Sequence, residues 1–305
     1  MTEQTTQPAA AASGPSAALL PSLLKACRPK QWAKNVLVFV APAAAGVITE
    51  PYRIRLTVVA FVAFCMVSSA TYLLNDVLDV ASDRQHPTKC RRPIASGAVP
   101  VPVAIGAAVV LFLGGVGLAL TDGWALAAIA AGYVVLTTSY SLWLKAIPVF
   151  DVVVLSSGFI LRLLAGAYAA QVRVSEWFLI ISCFGSLFVA TAKRTAEKRE
   201  LGDQAAELRP TLGHYSHEYL GFLRSVSVAA VLISYCLWAV ERANENGTKV
   251  FILLTIVPFL IAILRYALLV DQGKGAAPEE VLLHDRQMQV MGLMWAVLLM
   301  LGIYL

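Results

Sequence analysis

Charge is scarce in this chain. Of 305 residues only 14% are charged, 19 acidic against 24 basic, while 58% are apolar. Soluble domains carry about 25% charged residues to keep their surface wetted, so an ordinary soluble enzyme is excluded. Histidine is sparse as well: His86, His214, His217 and His284 all fall in polar stretches, where a solvated imidazole is the ordinary state. The five cysteines are odd in number and scattered, which excludes a disulfide framework. His86 and Cys90 lie four residues apart in a polar loop, but two ligands do not make a metal site. The first twenty residues contain no lysine or arginine, so no cleavable signal peptide is expected there. They read as a disordered tail over 1–20, ahead of one membrane domain over 21–305 whose first helix stays as an anchor.

What the chain has in place of charge is long apolar runs. At roughly 20 residues per crossing they suffice for about nine helices and leave no room for a separate soluble domain. Apolar helices are predicted near 35–49, 56–80, 101–121, 124–143, 147–170, 176–196, 218–240, 250–270 and 288–305. The fold class is therefore all-α, a polytopic helical bundle in the membrane. Ahead of the first run, Leu23 to Lys34 is basic and amphipathic, and its Trp32 suits a helix lying among lipid headgroups.

The cations are distributed unevenly over the connecting loops. Lys25, Arg28, Lys30 and Lys34, then Arg84, Lys89, Arg91 and Arg92, then Lys145, fall on one side. Lys193, Arg194, Lys198, Arg199 and Arg209, with Arg265, Lys274 and Arg286, bring that side to 17 of the 24. By the positive-inside rule this is the cytoplasmic face of the plasma membrane, with the N-terminus inside and the C-terminus outside. Orientation alone does not explain the carboxylates beside those cations: Asp76, Asp79, Asp83, Asp151, Glu197, Glu200, Asp203 and Glu207. A charged reaction chamber explains both signs.

At the end of the second run, Asn75-Asp76-Val77-Leu78-Asp79-Val80-Ala81-Ser82-Asp83 places three carboxylates at i, i+3 and i+7. On one helix they fall within about 60° of one another and repel unless a cation neutralises them. Hard divalent ions prefer oxygen ligands, and Mg²⁺ commonly bridges one or two carboxylates to phosphate oxygens.

This N-D-x-x-D-x-x-x-D pattern resembles the first signature of the UbiA superfamily of intramembrane transferases, and the nine-helix pattern resembles that family over nearly the whole chain. The resemblance implies that Asp76, Asp79 and Asp83, assisted by Asn75, hold Mg²⁺ (Mn²⁺ as the alternative) against a donor's diphosphate. It also implies a chamber open to cytoplasm and lipid. Prenyl-transferring members carry a second aspartate-rich signature after the sixth helix. Here that place reads Ala192-Lys193-Arg194-Thr195-Ala196-Glu197-Lys198-Arg199-Glu200, with basic residues in its stead. Lys193 and Arg194 lie at i−4 and i−3 from Glu197, so one carboxylate can orient two cations into a phosphate clamp.

The K-R-x-x-E pattern, with Arg28-Pro29-Lys30-Gln31-Trp32-Ala33-Lys34-Asn35, is similar to the phosphoribose-transferring branch of the family. That likeness implies a 5-phosphoribosyl 1-diphosphate donor and a polyprenyl (decaprenyl) phosphate acceptor. Diphosphate is released, and the product supplies arabinose for cell-wall arabinan. It also implies that Lys30, Gln31, Lys34, Asn35, Tyr140, Lys145 and Arg91 bind substrate alongside Lys193, Arg194 and Glu197. The acceptor phosphate is already ionised at neutral pH, so no general base is required. No nucleic acid partner is expected, and a homo-oligomer is compatible with the reading. Two rivals remain: a UbiA-type prenyltransferase acting on an aromatic acceptor, and a secondary transporter relaying ions through its acidic residues. Asp151 and Arg162 lie three turns apart on one helix face, where intramembrane charges point into a cavity or pair.

Overall fold

The computed structural model describes residues 15–86, 88–202, 209–245, 249–274, 281 and 283–304. Within them every regular element is a helix. The expected tail lies mostly outside the described residues, as do Asp203, Glu207 and much of the loop from Asp271 to Asp285. A helix, α1 (Pro15–Ala26), already occupies the end of the stretch read as tail.

The segment from Leu23 to Lys34 is not one surface helix. The residue before a proline is disfavoured in the α region, and Arg28, ahead of Pro29, takes up a left-handed conformation (φ 54°, ψ 60°) that ends the helix and turns the chain. A 3₁₀ helix, Pro29–Phe39, follows, then the short α2 (Val40–Ala44). A 3₁₀ helix rises about 2.0 Å per residue against 1.5 Å in an α-helix, so these two pieces together cover roughly 30 Å, the depth of the hydrocarbon core. The first expected span is therefore helical, but wound more tightly and drawn out longer than an α-helix of the same length.

Among the described residues, eight helices are long and apolar enough to cross a membrane. They are α3 (Pro51–Leu78), α5 (Val101–Leu120), α6 (Trp124–Leu142), α7 (Phe150–Ala169), α8 (Glu176–Leu201), α10 (His217–Glu245), the pair α11 (Lys249–Leu254) and α12 (Ile256–Asp271), and α13 (Arg286–Tyr304). Between them lie the short α4 (Val80–Gln85) and α9 (Pro210–His214). The break between α11 and α12 follows from Pro258, whose ring excludes the carbonyl of Leu254 four residues back. The α8 N-terminus is capped by Ser175 Oγ, which accepts from the Phe178 amide at 3.1 Å.

Helices adjacent in sequence pack side by side: α3 on α5, α5 on α6, α6 on α7, α7 on α8, α8 on α10, and α12 on α13. The 3₁₀ helix lies against α3 and α7. The ring closes at one end, where Tyr304 Oη of α13 donates to the Gly46 carbonyl at 2.8 Å. The most enclosed member is α3, with 67% of its most apolar 18 residues buried against 17% for α13. Its Ala60, Ala63, Phe64 and Val67 meet Ala127, Ala130 and Tyr133 of α6 and Ala165 and Ala169 of α7. Lipid is as apolar as these side chains, so the small residues work by letting backbones approach and maximise van der Waals contact. The closest approach is at Gly166 of α7, where a Cβ would collide with the Val38 carbonyl of the 3₁₀ helix.

The first crossing, α7, α8, α10, α12 and α13 surround a partly open cavity of about 820 Å³. Its wall is largely apolar, running from Lys34 and Leu37 past Leu163, Phe259 and Trp295 to Arg173.

The Gly166 contact predicts that Gly166→Val forces the first crossing off α7, at a cost of about 1–3 kcal/mol or more for overpacking. Thermal unfolding of detergent-purified protein is expected to show a lowered midpoint, with Gly132→Ala, which meets open space, as the neutral control.

Candidate active site

The acidic motif sits where α3 ends. The helix stops at Leu78, Asp79 takes a bridge conformation (φ −90°, ψ 4°), and the chain resumes as α4. The kink parts the three carboxylates. Asp76 and Asp83 turn inward and are only 2% and 3% exposed, whereas Asp79 stays half-exposed and faces Lys145 Nζ at 3.9 Å. One guanidinium nitrogen, Arg92 Nη1, joins the inward pair, lying 3.2 Å from Asp76 Oδ1 and 2.7 Å from Asp83 Oδ2. Arg28 Nη2 meets Asp76 Oδ1 from the other side at 2.5 Å, its guanidinium packed over the Tyr72 ring at 5.2 Å. The left-handed backbone at Arg28 is the kind of strained position that persists only where surrounding structure holds it.

Across the same end of the bundle lies the K-R-x-x-E segment. It lies in the last turns of α8, which runs on to Leu201, past the expected boundary at 196. Arg194 is fully buried. Its Nε is 2.9 Å from Asp151 Oδ2, its Nη1 pairs with Glu197, and its Nη2 donates to Tyr140 Oη at 2.7 Å. Arg209 joins the cluster, donating to Tyr140 Oη at 2.5 Å and to Glu197 Oε2 at 3.3 Å. Its buried Nε has no hydrogen-bond partner among the described residues, which leaves a donor for an anion. Lys193 Nζ stands 4.0 Å from Glu197 Oε1, and the like charges of Arg194, Lys34 and Arg209 act on it.

Asp151 anchors this cluster. It lies in the first turn of α7, where the helix dipole favours an anion. The turn leading in is strained at Val149 (φ 70°, ψ −48°), an outlier for a β-branched residue. Tyr215 holds the turn: its Oη accepts from the Val149 amide at 2.7 Å and donates to Asp151. Burial, reinforced by the hydrogen bond to Asp151, pushes the Tyr215 phenol well above its ordinary range, so it remains a neutral donor. Asp151 therefore pairs with Arg194 and not with Arg162 on its own helix. Arg162 points elsewhere, to Asn35 and Tyr133.

Most of the sequence-predicted residues gather at this end. Lys145 turns its side chain toward Asp79, and its carbonyl accepts from Thr211 Oγ1 at 3.4 Å. Lys34 lines the cavity, Gln31 is half-buried and Lys30 is exposed. Asn75 is half-buried beside Asp76. Asn35 is buried against α3 and does not face the cavity. Arg91 is exposed, and its neighbour Arg92 reaches the carboxylates instead. The signal for Arg92 is the following Pro93, which holds it extended (φ −64°, ψ 143°) at the exit of a short 3₁₀ turn. Arg28, Arg209, Asp151 and Tyr215 also belong to the site and were not among the expected binding residues. Only Asp151, an ionisable group at the start of an apolar run, carries a legible sequence signal.

Among the described residues no three His, Cys, Asp or Glu side chains come together closely enough to hold a metal by themselves, so Asp79 does not complete a carboxylate trio. Asp76 and Asp83 remain a suitable pair. Their oxygens converge on one position, occupied by an arginine nitrogen, and Mg²⁺ is ordinarily held by one or two carboxylates with phosphate oxygens and water.

The chain matches the model of the UbiA prenyltransferase family over residues 36–300. A decaprenyl-phosphate phosphoribosyltransferase of Corynebacterium glutamicum is 44% identical over 292 residues, covering 94% of this chain and 88% of that protein. A protein of the same description from Mycobacterium tuberculosis is 42% identical over 289 residues, covering 92% and 94%. Among solved structures, a UbiA homologue from Archaeoglobus fulgidus bound to GPP and Mg²⁺ superposes with a TM-score of 0.70 at 17% identity, covering 92% of this chain and 98% of that one.

Arg92→Ala strips Asp83 of its observed cation and is expected to cost about 3 kcal/mol, whereas Arg91→Ala costs less than about 0.5 kcal/mol. If Arg92 occupies a cation position, millimolar Mg²⁺ raises the unfolding midpoint of Arg92→Ala more than that of the unsubstituted protein. Thermal unfolding with and without Mg²⁺ checks both.

Proposed function

Because this chain belongs to the UbiA prenyltransferase family, we propose that it is a membrane phosphoribosyltransferase. It moves 5-phosphoribose from 5-phosphoribosyl 1-diphosphate to a polyprenyl phosphate and releases diphosphate. The observation that carries this reading is the pairing of two buried carboxylates around one cation position with a buried arginine cluster across the same mouth. The identity of over 40% along nearly the whole chain to proteins of that description supports the choice of substrates.

Asp76 and Asp83 would hold Mg²⁺, with Asn75 and the more exposed Asp79 at the rim of that position. Bound there, the ion would supply charge neutralisation for the departing diphosphate. Arg28 and Arg92, released from the carboxylates, reach the same phosphates. Lys145, Lys193 and Arg209 gather the donor's remaining charge, while the buried Arg194 holds Glu197 and Tyr140, which fix the direction of the Arg209 guanidinium fork. A phosphate oxygen of the lipid attacks C1 of the ribose as the C1–diphosphate bond breaks, and in-line displacement inverts C1. Positive charge at the ribose in the transition state is met by the anions on both sides. Lys34 stands where the cation-rich mouth meets the apolar cavity and takes the lipid's phosphate, with the isoprenoid chain lying along the cavity below. The mouth faces the cytoplasm, the side holding 17 of the 24 cations, and the product feeds cell-wall arabinan.

Labelled phosphoribosyl diphosphate and decaprenyl phosphate, incubated with purified protein and Mg²⁺, are expected to yield a labelled lipid. Asp76→Asn should lose activity by about a thousandfold or more, in line with removal of a transition-state electrostatic group. A folded protein that leaves the lipid unlabelled, yet prenylates an aromatic acid from a prenyl diphosphate, overturns the assignment in favour of the prenyl-transferring branch.

A further inference from the structure

Arg162 of α7 is 4% exposed in the middle of a membrane-spanning helix, and among the described residues it has no carboxylate within ion-pair distance. An intramembrane guanidinium without a counter-ion is expensive and is retained when it does something a leucine cannot. Here its charge is met by oxygens and a π face. Nε donates to Asn35 Oδ1 at 2.7 Å, Nη1 to the Gly158 carbonyl at 2.6 Å and Nη2 to Tyr133 Oη at 2.8 Å, with the Tyr133 ring 4.6 Å away. The bond to Asn35 fixes which end of that amide faces α7. Its Nδ2 is then left to α3, donating to Ser68 Oγ and Cys65 Sγ, each at 3.3 Å.

Asn35 belongs to the 3₁₀ helix, which repeats every three residues. Trp32, Asn35 and Val38 therefore form one straight row. Each is tied down: Trp32 Nε1 to Ser69 Oγ at 3.0 Å, Asn35 as above, and Val38 by its carbonyl against Gly166. The neighbouring row, Lys34 and Leu37, lines the cavity, and Val40 at the start of α2 continues it. Two rows stay aligned with two different surfaces over this length only at the 3₁₀ period. At 100° per residue both drift off their targets by about 60° per three residues.

We propose that Arg162 is a positioning residue which, through Asn35, holds the first crossing in its 3₁₀ winding and so keeps Lys34 turned into the lipid cavity to receive the acceptor's phosphate. This rests on the function proposed above. The guanidinium touches no substrate and acts only through the row it fixes.

The test compares binding of a polyprenyl monophosphate with binding of the matching polyprenol, which lacks the phosphate, to purified protein in nanodiscs. Lys34→Met is expected to weaken the phosphate lipid about tenfold and leave the polyprenol unchanged. Arg162→Met does the same, and the double variant is no weaker than either alone, the non-additivity expected of residues acting through one contact. Arg162→Lys keeps the buried charge but cannot span Asn35, Gly158 and Tyr133 together, so it shows a smaller loss with the same non-additivity; it replaces Arg162→Met should that variant not fold. Losses that add with those of Lys34→Met, or that fall equally on both lipids, overturn the proposal and leave Arg162 a packing element. An unsubstituted protein that binds the two lipids equally tightly overturns the functional reading itself, and Lys34's role with it.

Discussion

A buried carboxylate in a membrane protein must find a cation, and that requirement organises this molecule. Asp76, Asp83 and Asp151 are each at most 3% exposed at one end of an apolar bundle. Left alone, each would cost several kcal/mol or give up its charge. Each is instead bound by an arginine from outside its own helix: Arg28 and Arg92 on the first pair, Arg194 on the third. These ion pairs tie the entrance of the 3₁₀ helix and the segment after α4 to the α3–α4 corner, and α8 to α7, where lipid offers no hydrophobic preference for one helix neighbour over another.

The same pairs preorganise the site. Opposite charges held close in a low dielectric keep one another's side chains in fixed directions around the mouth. Strain is concentrated around them. Arg28 and Val149 both have positive φ without being glycine, and each stands at the entrance to a segment that carries the site. Tyr215, pinned between the Val149 amide and Asp151, shows how the strained turn is held.

The first crossing is the other element that departs from regularity. A 3₁₀ helix has poorer hydrogen bonds than an α-helix and is seldom long, so an eleven-residue run must be stabilised from outside. Trp32, Asn35 and the Val38–Gly166 contact supply that stabilisation, and they leave the cavity-facing row free to carry Lys34. Irregular backbone at membrane depth is tolerated here because it is packed in protein along one side and borders a cavity on the other.

From its sequence alone the chain is a helical membrane protein of about nine crossings with an acidic motif and a basic segment to face it. Apolar run length and residue spacing are local properties, which is why the helices, the Asp76–Asp83 motif and the Lys193–Glu197 spacing were legible. Partner choice is not local. Arg92 rather than Arg91, Asp151 on Arg194 rather than Arg162, and Asp79 turned away from its two fellows were decided by the kink at Asp79 and by helix packing that joins residues tens of positions apart. The winding of the first crossing was likewise settled by tertiary structure. Its apolar residues suit either helix, and only contacts with α3 and α7 select the period of three.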